Sequence, residues 1–79
     1  MMLSIKNRNT GRRYWSWDEA LNETRGDFEE RIWSGERVEV HKEFGGYVRV
    51  RVEHFGQVEE KTFFSREEAR QYLQWRGWR

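Results

Sequence analysis

The sequence contains no cysteine and no proline, and its net charge is only +1. Without cysteine, disulfides and thiolate metal sites are excluded, so a chain of 79 residues must stand on side-chain packing or on a partner subunit. The missing thiols agree with a reducing compartment, and a cytoplasmic location is expected. The chain also lacks any Ser/Gly-rich or low-complexity stretch, so residues 1–79 read as a single domain. Its longest uninterrupted apolar run is Met1-Met2-Leu3. A run that short is neither a secretory signal nor a membrane span, and a soluble protein is expected. A net charge near zero argues against a coat that binds nucleic acid indiscriminately.

Aromatic residues are plentiful. They make up 16% of the chain, as five Trp, three Tyr and five Phe, against a hydrophobic total of 35%. Rings bury more area apiece than other side chains, so they should dominate the core. Charge is segregated along the chain. Residues 1–15 carry four bases and no acid, residues 16–36 carry seven acids against Arg25 and Arg31, and the remainder is mildly basic. A dipolar surface follows if sequence neighbours stay neighbours in space.

Met2 to Lys6 alternates apolar and polar, Asn7 to Gly11 supplies turn chemistry, and Arg12 to Trp15 returns, which predicts a short N-terminal hairpin. Ser16-Trp17-Asp18-Glu19 is a capping box, so a helix is expected to begin at Trp17 and to carry Trp17, Ala20, Leu21 and Thr24 on one face. Gly26 is placed to stop it. Asp27-Phe28-Glu29-Glu30 repeats the start signal, with Phe28 and Ile32 one turn apart and Gly35 as the stop. Two short helices bent at Gly26, or one kinked helix, satisfy this pattern.

Val38 and Val40 alternate with Arg37, Glu39 and His41, and Val48, Val50 and Val52 alternate with Arg49, Arg51 and Glu53, the period of half-buried strands. A loop of Phe44, Gly45 and Gly46 opposes Val40 to Val50 and Val38 to Val52. It also sets Glu39 against Arg51 and Arg37 against Glu53, which favours that register. After a turn at Phe55-Gly56, Gln57 to Phe64 reads as an edge strand guarded by Glu59, Glu60 and Lys61, whose Val58, Phe63 and Phe64 do not fix its face. Ser65-Arg66-Glu67-Glu68 is a third capping box, with Phe64 and Ala69 as its staple, Ala69, Tyr72 and Leu73 as the buried stripe, and Gly77 as the stop. The expected fold is α+β: a three-stranded antiparallel meander packed against a C-terminal helix and one or two short N-terminal helices, with an extra N-terminal strand or hairpin.

Catalysis needs a positioned nucleophile or acid–base pair, and no such arrangement is legible, so no enzyme, cofactor or metal is expected. His41 and His54 read as surface or strand-end residues, and ligands for zinc are not spaced around them. Arg25-Gly26-Asp27 spells an adhesion tripeptide, but helix stop and start explain it. Asn22-Glu23-Thr24, a formal glycosylation acceptor, falls within a predicted helix. Three candidate binding features remain. The outer sheet face offers Arg37, Arg49, Arg51 and Lys61 beside Tyr47 and Phe55, either tracking an acidic partner or lying solvated and neutralised by Glu39, Glu53 and Glu59. The acidic segment comprises Asp18, Glu19, Glu23, Asp27, Glu29, Glu30 and Glu36. The C-terminus brings Trp75, Trp78 and Arg79, residue types enriched at interface hot spots.

Within residues 37–76, the run Tyr47-Val48-Arg49-Val50-Arg51-Val52 followed by Phe63-Phe64-Ser65-Arg66-Glu67-Glu68-Ala69 resembles the three-strand-plus-helix modules of integrase arm-binding domains and plant ethylene-response DNA-binding domains. That resemblance implies a sheet inserted in the major groove, with Arg49, Arg51 and Lys61 reading bases or phosphates. In size, lack of cysteine and mixed charge the chain also resembles small phage-encoded inhibitors, including anti-CRISPR proteins. That resemblance implies a phage protein in the host-cell cytoplasm whose acidic segment mimics phosphates while it blocks a larger protein or nucleoprotein complex. The expected function is such a non-enzymatic interaction module, with DNA binding or a recombination accessory role as the alternative. No membrane partner is expected, and the uncovered edge strand and Trp-rich end also suit a homodimer.

Overall fold

The alternating stretches of the chain pair into one sheet. The computed structural model describes residues 5–31, 35–43 and 47–76, the side chains of residues 75 and 76 excepted. Along the chain run β1 (Ile5–Asn7), β2 (Arg13–Tyr14), α1 (Trp17–Ala20), β3 (Gly26–Arg31), β4 (Arg37–Lys42), β5 (Val48–His54), β6 (Gln57–Phe63) and α2 (Arg66–Arg76). The six strands lie in the order β2-β1-β3-β4-β5-β6, and every neighbouring pair is antiparallel. The fold is α+β, with a six-stranded antiparallel sheet, a short N-terminal helix and a C-terminal helix. No helix among the described residues is long and apolar enough to cross a membrane.

The valine alternation sets the register of β4 and β5 as expected. Val40 faces Val50, Val38 faces Val52, Glu39 faces Arg51 and Arg37 faces Glu53. The loop proposed at residues 44–46 lies outside the described residues. The N-terminal hairpin also forms, with Ile5 opposite Tyr14 and Lys6 opposite Arg13. The expected meander of three strands is therefore half of a larger sheet, joined to the hairpin through β3.

β3 corrects the second predicted helix. Asp27-Phe28-Glu29-Glu30 does look like a helix start, yet β1 and β4 offer it a hydrogen-bonded ladder on both edges. Tertiary pairing overrides the local signal. Phe28, only 1% exposed, then points into the core, where its ring meets Tyr14 and Trp17 edge-on at centroid distances of 5.8 and 6.4 Å. Gly26 is required beside it, since a Cβ there would come within 2.9 Å of the Phe28 ring.

One face of the sheet holds the core. Ile5, Tyr14, Phe28, Val38, Val40, Val48, Val50 and Val52 pack with Trp17, Ala20 and Leu21 around α1 and with Ala69 and Leu73 of α2. α2 begins as expected, the Ser65 hydroxyl accepting from the Glu68 N–H at 3.1 Å. The proposed staple does not form, because Phe64 is 81% exposed; Phe63 packs instead on Tyr72, ring centroids 5.3 Å apart.

α1 starts at the predicted cap, with Ser16 Oγ accepting from Glu19 N–H at 3.3 Å, but it ends after one turn instead of reaching Thr24. Cations from other elements take up carbonyls of α1 and of the turn that follows it. Lys42, pointing inward from the end of β4, donates from Nζ to the carbonyls of Leu21 and Glu23 at 2.6 and 2.7 Å. Arg66, at the start of α2, donates to the Leu21 carbonyl, to the Asp18 carbonyl and carboxylate, and to Asn22 Oδ1. Burial, with Arg66 close by, pushes the Lys42 pKa down. This clamp ties α1 to sheet and α2 at once. Replacing Lys42 by Met keeps the apolar stem, orphans the Glu23 carbonyl and leaves the Leu21 carbonyl to Arg66 alone, so denaturant unfolding should show a loss of about 1–2 kcal/mol. An unchanged midpoint would remove the clamp from the account.

Candidate interaction surface

Both helices cover the valine side, and among the described residues the opposite face of the sheet carries no helix. Register alone places its side chains in rows. One row runs across all six strands as Arg13, Lys6, Glu29, Glu39, Arg51 and Glu60; its neighbours are Arg31, Arg37, Glu53 and Val58 on one side and Asp27, His41, Arg49 and Thr62 on the other. Arg8 continues β1 outward, its N–H donating to the Asp27 carbonyl at 2.7 Å. The face is almost wholly charged, with a small excess of bases.

Glu29 and Glu39 are directly opposite each other on β3 and β4, a placement that repels unless cations intervene. Arg8 and Arg37 intervene. Arg8 lies 3.7 Å from Glu29 and 3.3 Å from Glu39, and Arg37 lies 3.6 and 3.1 Å from the same two carboxylates. Arg31 adds a hydrogen bond to Glu29 at 2.8 Å, and Arg51 stands 3.9 Å from Glu39. The Arg31 hydrogen bond, helped by the charges of Arg37 and Arg8, holds the Glu29 carboxyl below the usual carboxylate range. Four guanidinium groups are thus held in place around two half-buried carboxylates.

The ring of His41 bridges two acids, Nδ1 lying 2.5 Å from Asp27 and Nε2 lying 3.0 Å from Glu43. Those hydrogen bonds, Asp27 first and Glu43 second, raise its pKa. The acids bind opposite edges of the imidazole, so they do not converge on one point as metal ligands must. Beside His41, Arg49 stacks over the Tyr47 ring at 5.9 Å and makes no ion pair with a described residue. Arg8, Arg49 and Arg51 meet Asp27, Glu39 and Glu60 around a shallow depression of about 170 Å³. At the tip of the β5–β6 hairpin, Phe55 is 77% exposed at φ +49°, a left-handed conformation uncommon for a bulky residue.

The structure brings together Arg37, Arg49, Arg51 and Tyr47 of the expected basic face. Lys61 is a correction. It points to the helix side, its ammonium 5.5 Å from the Tyr72 ring centroid, because β6 continues the parity of Val50 into Lys61. The acidic segment is also corrected, since it is not one helical surface. Only Asp18 and Glu19 lie on α1. Asp27 and Glu29 face outward among bases, whereas Glu30 turns inward and accepts from the Trp17 indole N–H at 2.9 Å. Glu23 accepts from the Tyr14 hydroxyl at 2.9 Å and pairs with Arg12, and Glu36 is buried 3.3 Å from His54. A continuous phosphate-like array is therefore not formed by these seven residues. The side chain of Trp75, and all of Trp78 and Arg79, lie outside the described residues.

Sequence reading missed Arg8 and Arg31 as members of the face. Strand parity would have found them once β1 and β3 were assigned. No family model matches the chain, and neither a curated protein nor a solved structure matches it.

The two pKa shifts on this face act on stability with opposite signs. Glu29, lowered from 4.5, contributes stability present above that pH and lost as pH falls through its folded value. His41, raised from 6.5, contributes stability complete below that pH and lost as pH rises through its folded value. Denaturant unfolding across pH should peak between these limits. His41→Gln should flatten the alkaline decline and Glu29→Gln should soften the acid one; a profile unaltered by either change would contradict the pairings.

Proposed function

We propose that the chain is a non-enzymatic interaction module that docks the helix-free face of its sheet on a larger protein or nucleoprotein complex and blocks or modulates it, as the small phage-encoded inhibitors it resembles in type do. One observation carries this reading: guanidinium groups ringed around Glu29 and Glu39 are already paired with carboxylates of the chain itself. A binding surface gains when its long side chains are ordered beforehand, because less rotamer entropy is lost on association. Alternating charge also favours selectivity, since a partner with the wrong pattern meets like charges. Tyr47 and the exposed ring of Phe55 add aromatic contact area beside the charged rows.

A second reading places duplex DNA on the same face. Arg49 favours it, being a cation without an acidic partner among the described residues and adjacent to Arg51 along the strand. Against it stand Glu29, Glu39, Glu53 and Glu60 within the same rows, each of which would repel a phosphate.

Capture from host lysate separates a face-specific contact from a general one. A variant with Arg49→Glu and Arg51→Glu should lose the partners that wild type recovers, whereas Glu68→Lys on α2 should retain them. Equal recovery by all three chains would overturn the assignment. Titration of labelled duplex at several salt concentrations decides the second reading. A log–log slope of about −2 or steeper means that several phosphates are contacted, and no binding at low salt eliminates DNA.

A further inference from the structure

The two edges of the sheet differ. β2 is two residues long and offers little backbone to another chain. β6 is seven residues long, pairs only with β5 among the described residues, and is exposed along Gln57 to Thr62. Backbone geometry fixes which groups it presents. His54 faces Gln57 across a two-residue turn, Phe55 and Gly56, with φ of +49° and +83°. In such a hairpin the flanking pair is hydrogen-bonded, and bonded pairs then recur at every second residue. Gln57, Glu59, Lys61 and Phe63 therefore turn their amides toward β5, and Val58, Glu60 and Thr62 turn theirs outward.

We infer that β6 pairs with β6 of a second copy of this chain, antiparallel and centred on Glu60, to make a continuous twelve-stranded sheet. Charge complementarity selects that alignment. Centred on Glu60, Glu59 of each copy faces Lys61 of the other, twice by symmetry, and Val58 faces Thr62. A shift that keeps sheet faces matched moves the centre to Glu59 or Lys61, which sets Glu59 against Glu59 or Lys61 against Lys61. A shift by one residue would oppose the helix side of one copy to the bare side of the other. The Glu59 and Lys61 pairs fall at the non-hydrogen-bonded positions, where facing side chains approach most closely. The single unfavourable contact, Glu60 facing its own copy, lies on the outer face beside Arg51, its partner across β5 and β6 in each copy. The pattern that deters unrelated strands is complementary to itself in one register.

Neither Glu59 nor Lys61 has to leave the fold to make these pairs. The Tyr72 hydroxyl donates to Glu59 at 3.2 Å and the Tyr72 ring lies beside Lys61, so both side chains are held on the helix side at the level of α2. Joining two copies also doubles the extent of the charged face.

Sedimentation equilibrium of the full chain, taken from micromolar concentration to about 1 mM, tests the inference, with far-UV circular dichroism confirming that each variant is folded. Wild type should self-associate to a dimer. Lys61→Glu and Glu59→Lys should each weaken dimerisation roughly tenfold or more, because each change places two like-charged pairs in the interface. The double variant carrying both changes restores opposite charges and should recover the wild-type constant. Thr62→Pro deletes an outward-facing N–H without touching the β5 ladder and should abolish the dimer while the monomer stays folded. A wild type that remains monomeric at the highest concentration overturns the proposal. So does a dimer indifferent to Thr62→Pro, and a double variant that stays monomeric overturns the register.

Discussion

Valine recurs at every second position from Val38 to Val40 in β4 and from Val48 to Val52 in β5, and that alternation divides the molecule into a packed side and a charged side. The strand period leaves no other arrangement: once Val38, Val40, Val48, Val50 and Val52 face the helices, Arg37, Glu39, Arg49, Arg51 and Glu53 must face away. Buried apolar side chains of this size contribute about 1.5–3 kcal/mol each, whereas an exposed ion pair contributes about 0.2–1 kcal/mol. The packed side therefore carries the stability. The charged side contributes little to it, which leaves that face free for the docking role proposed above.

On that second side the acids and bases are arranged so that neither sign dominates. Two facing glutamates between two bridging arginines make a compact motif, and its members come from β3, β4 and the residue that follows β1. A chain that segregates its charge in sequence folds into a sheet that mixes it. Antiparallel pairing accomplishes this by laying the acidic segment of β3 between the basic N-terminal hairpin and the alternating β4. The clamp of Lys42 and Arg66 on α1 follows the same logic inside the molecule, bringing cations from β4 and α2 to carbonyls that a longer helix would have satisfied itself.

The β4–β5 register was legible because apolar period and cross-strand charge both pointed to one alignment. The starts of α1 and α2 were legible because Ser16 and Ser65 cap through their own hydroxyls within three residues. β3 was not. Its inward position 30 is a glutamate that accepts from the Trp17 indole, which hides the period of two and leaves Phe28 to look like one turn of a helix. The face of β6 was hidden for a related reason: its inward residues, Glu59 and Lys61, are polar because they meet the hydroxyl and ring of Tyr72 rather than the valine core, while Val58 points outward. Of the candidate contact surface, Arg37, Arg49 and Arg51 could be read directly. Arg31 lies on β3, which local pattern concealed, and Arg8 joins the face only because β1 pairs with β3; the dispersal of the acids was hidden in the same way.

The division into two sides can be measured strand by strand, because the chain has no cysteine to interfere. Single cysteines placed in turn at Val48, Arg49, Val50, Arg51 and Val52 can be titrated with a thiol reagent under native conditions. Cysteines at Arg49 and Arg51 should react nearly as fast as in denaturant, and those at Val48, Val50 and Val52 should be strongly protected. Protection at Arg49 and Arg51 with rapid reaction at the valine positions would contradict the account at its foundation.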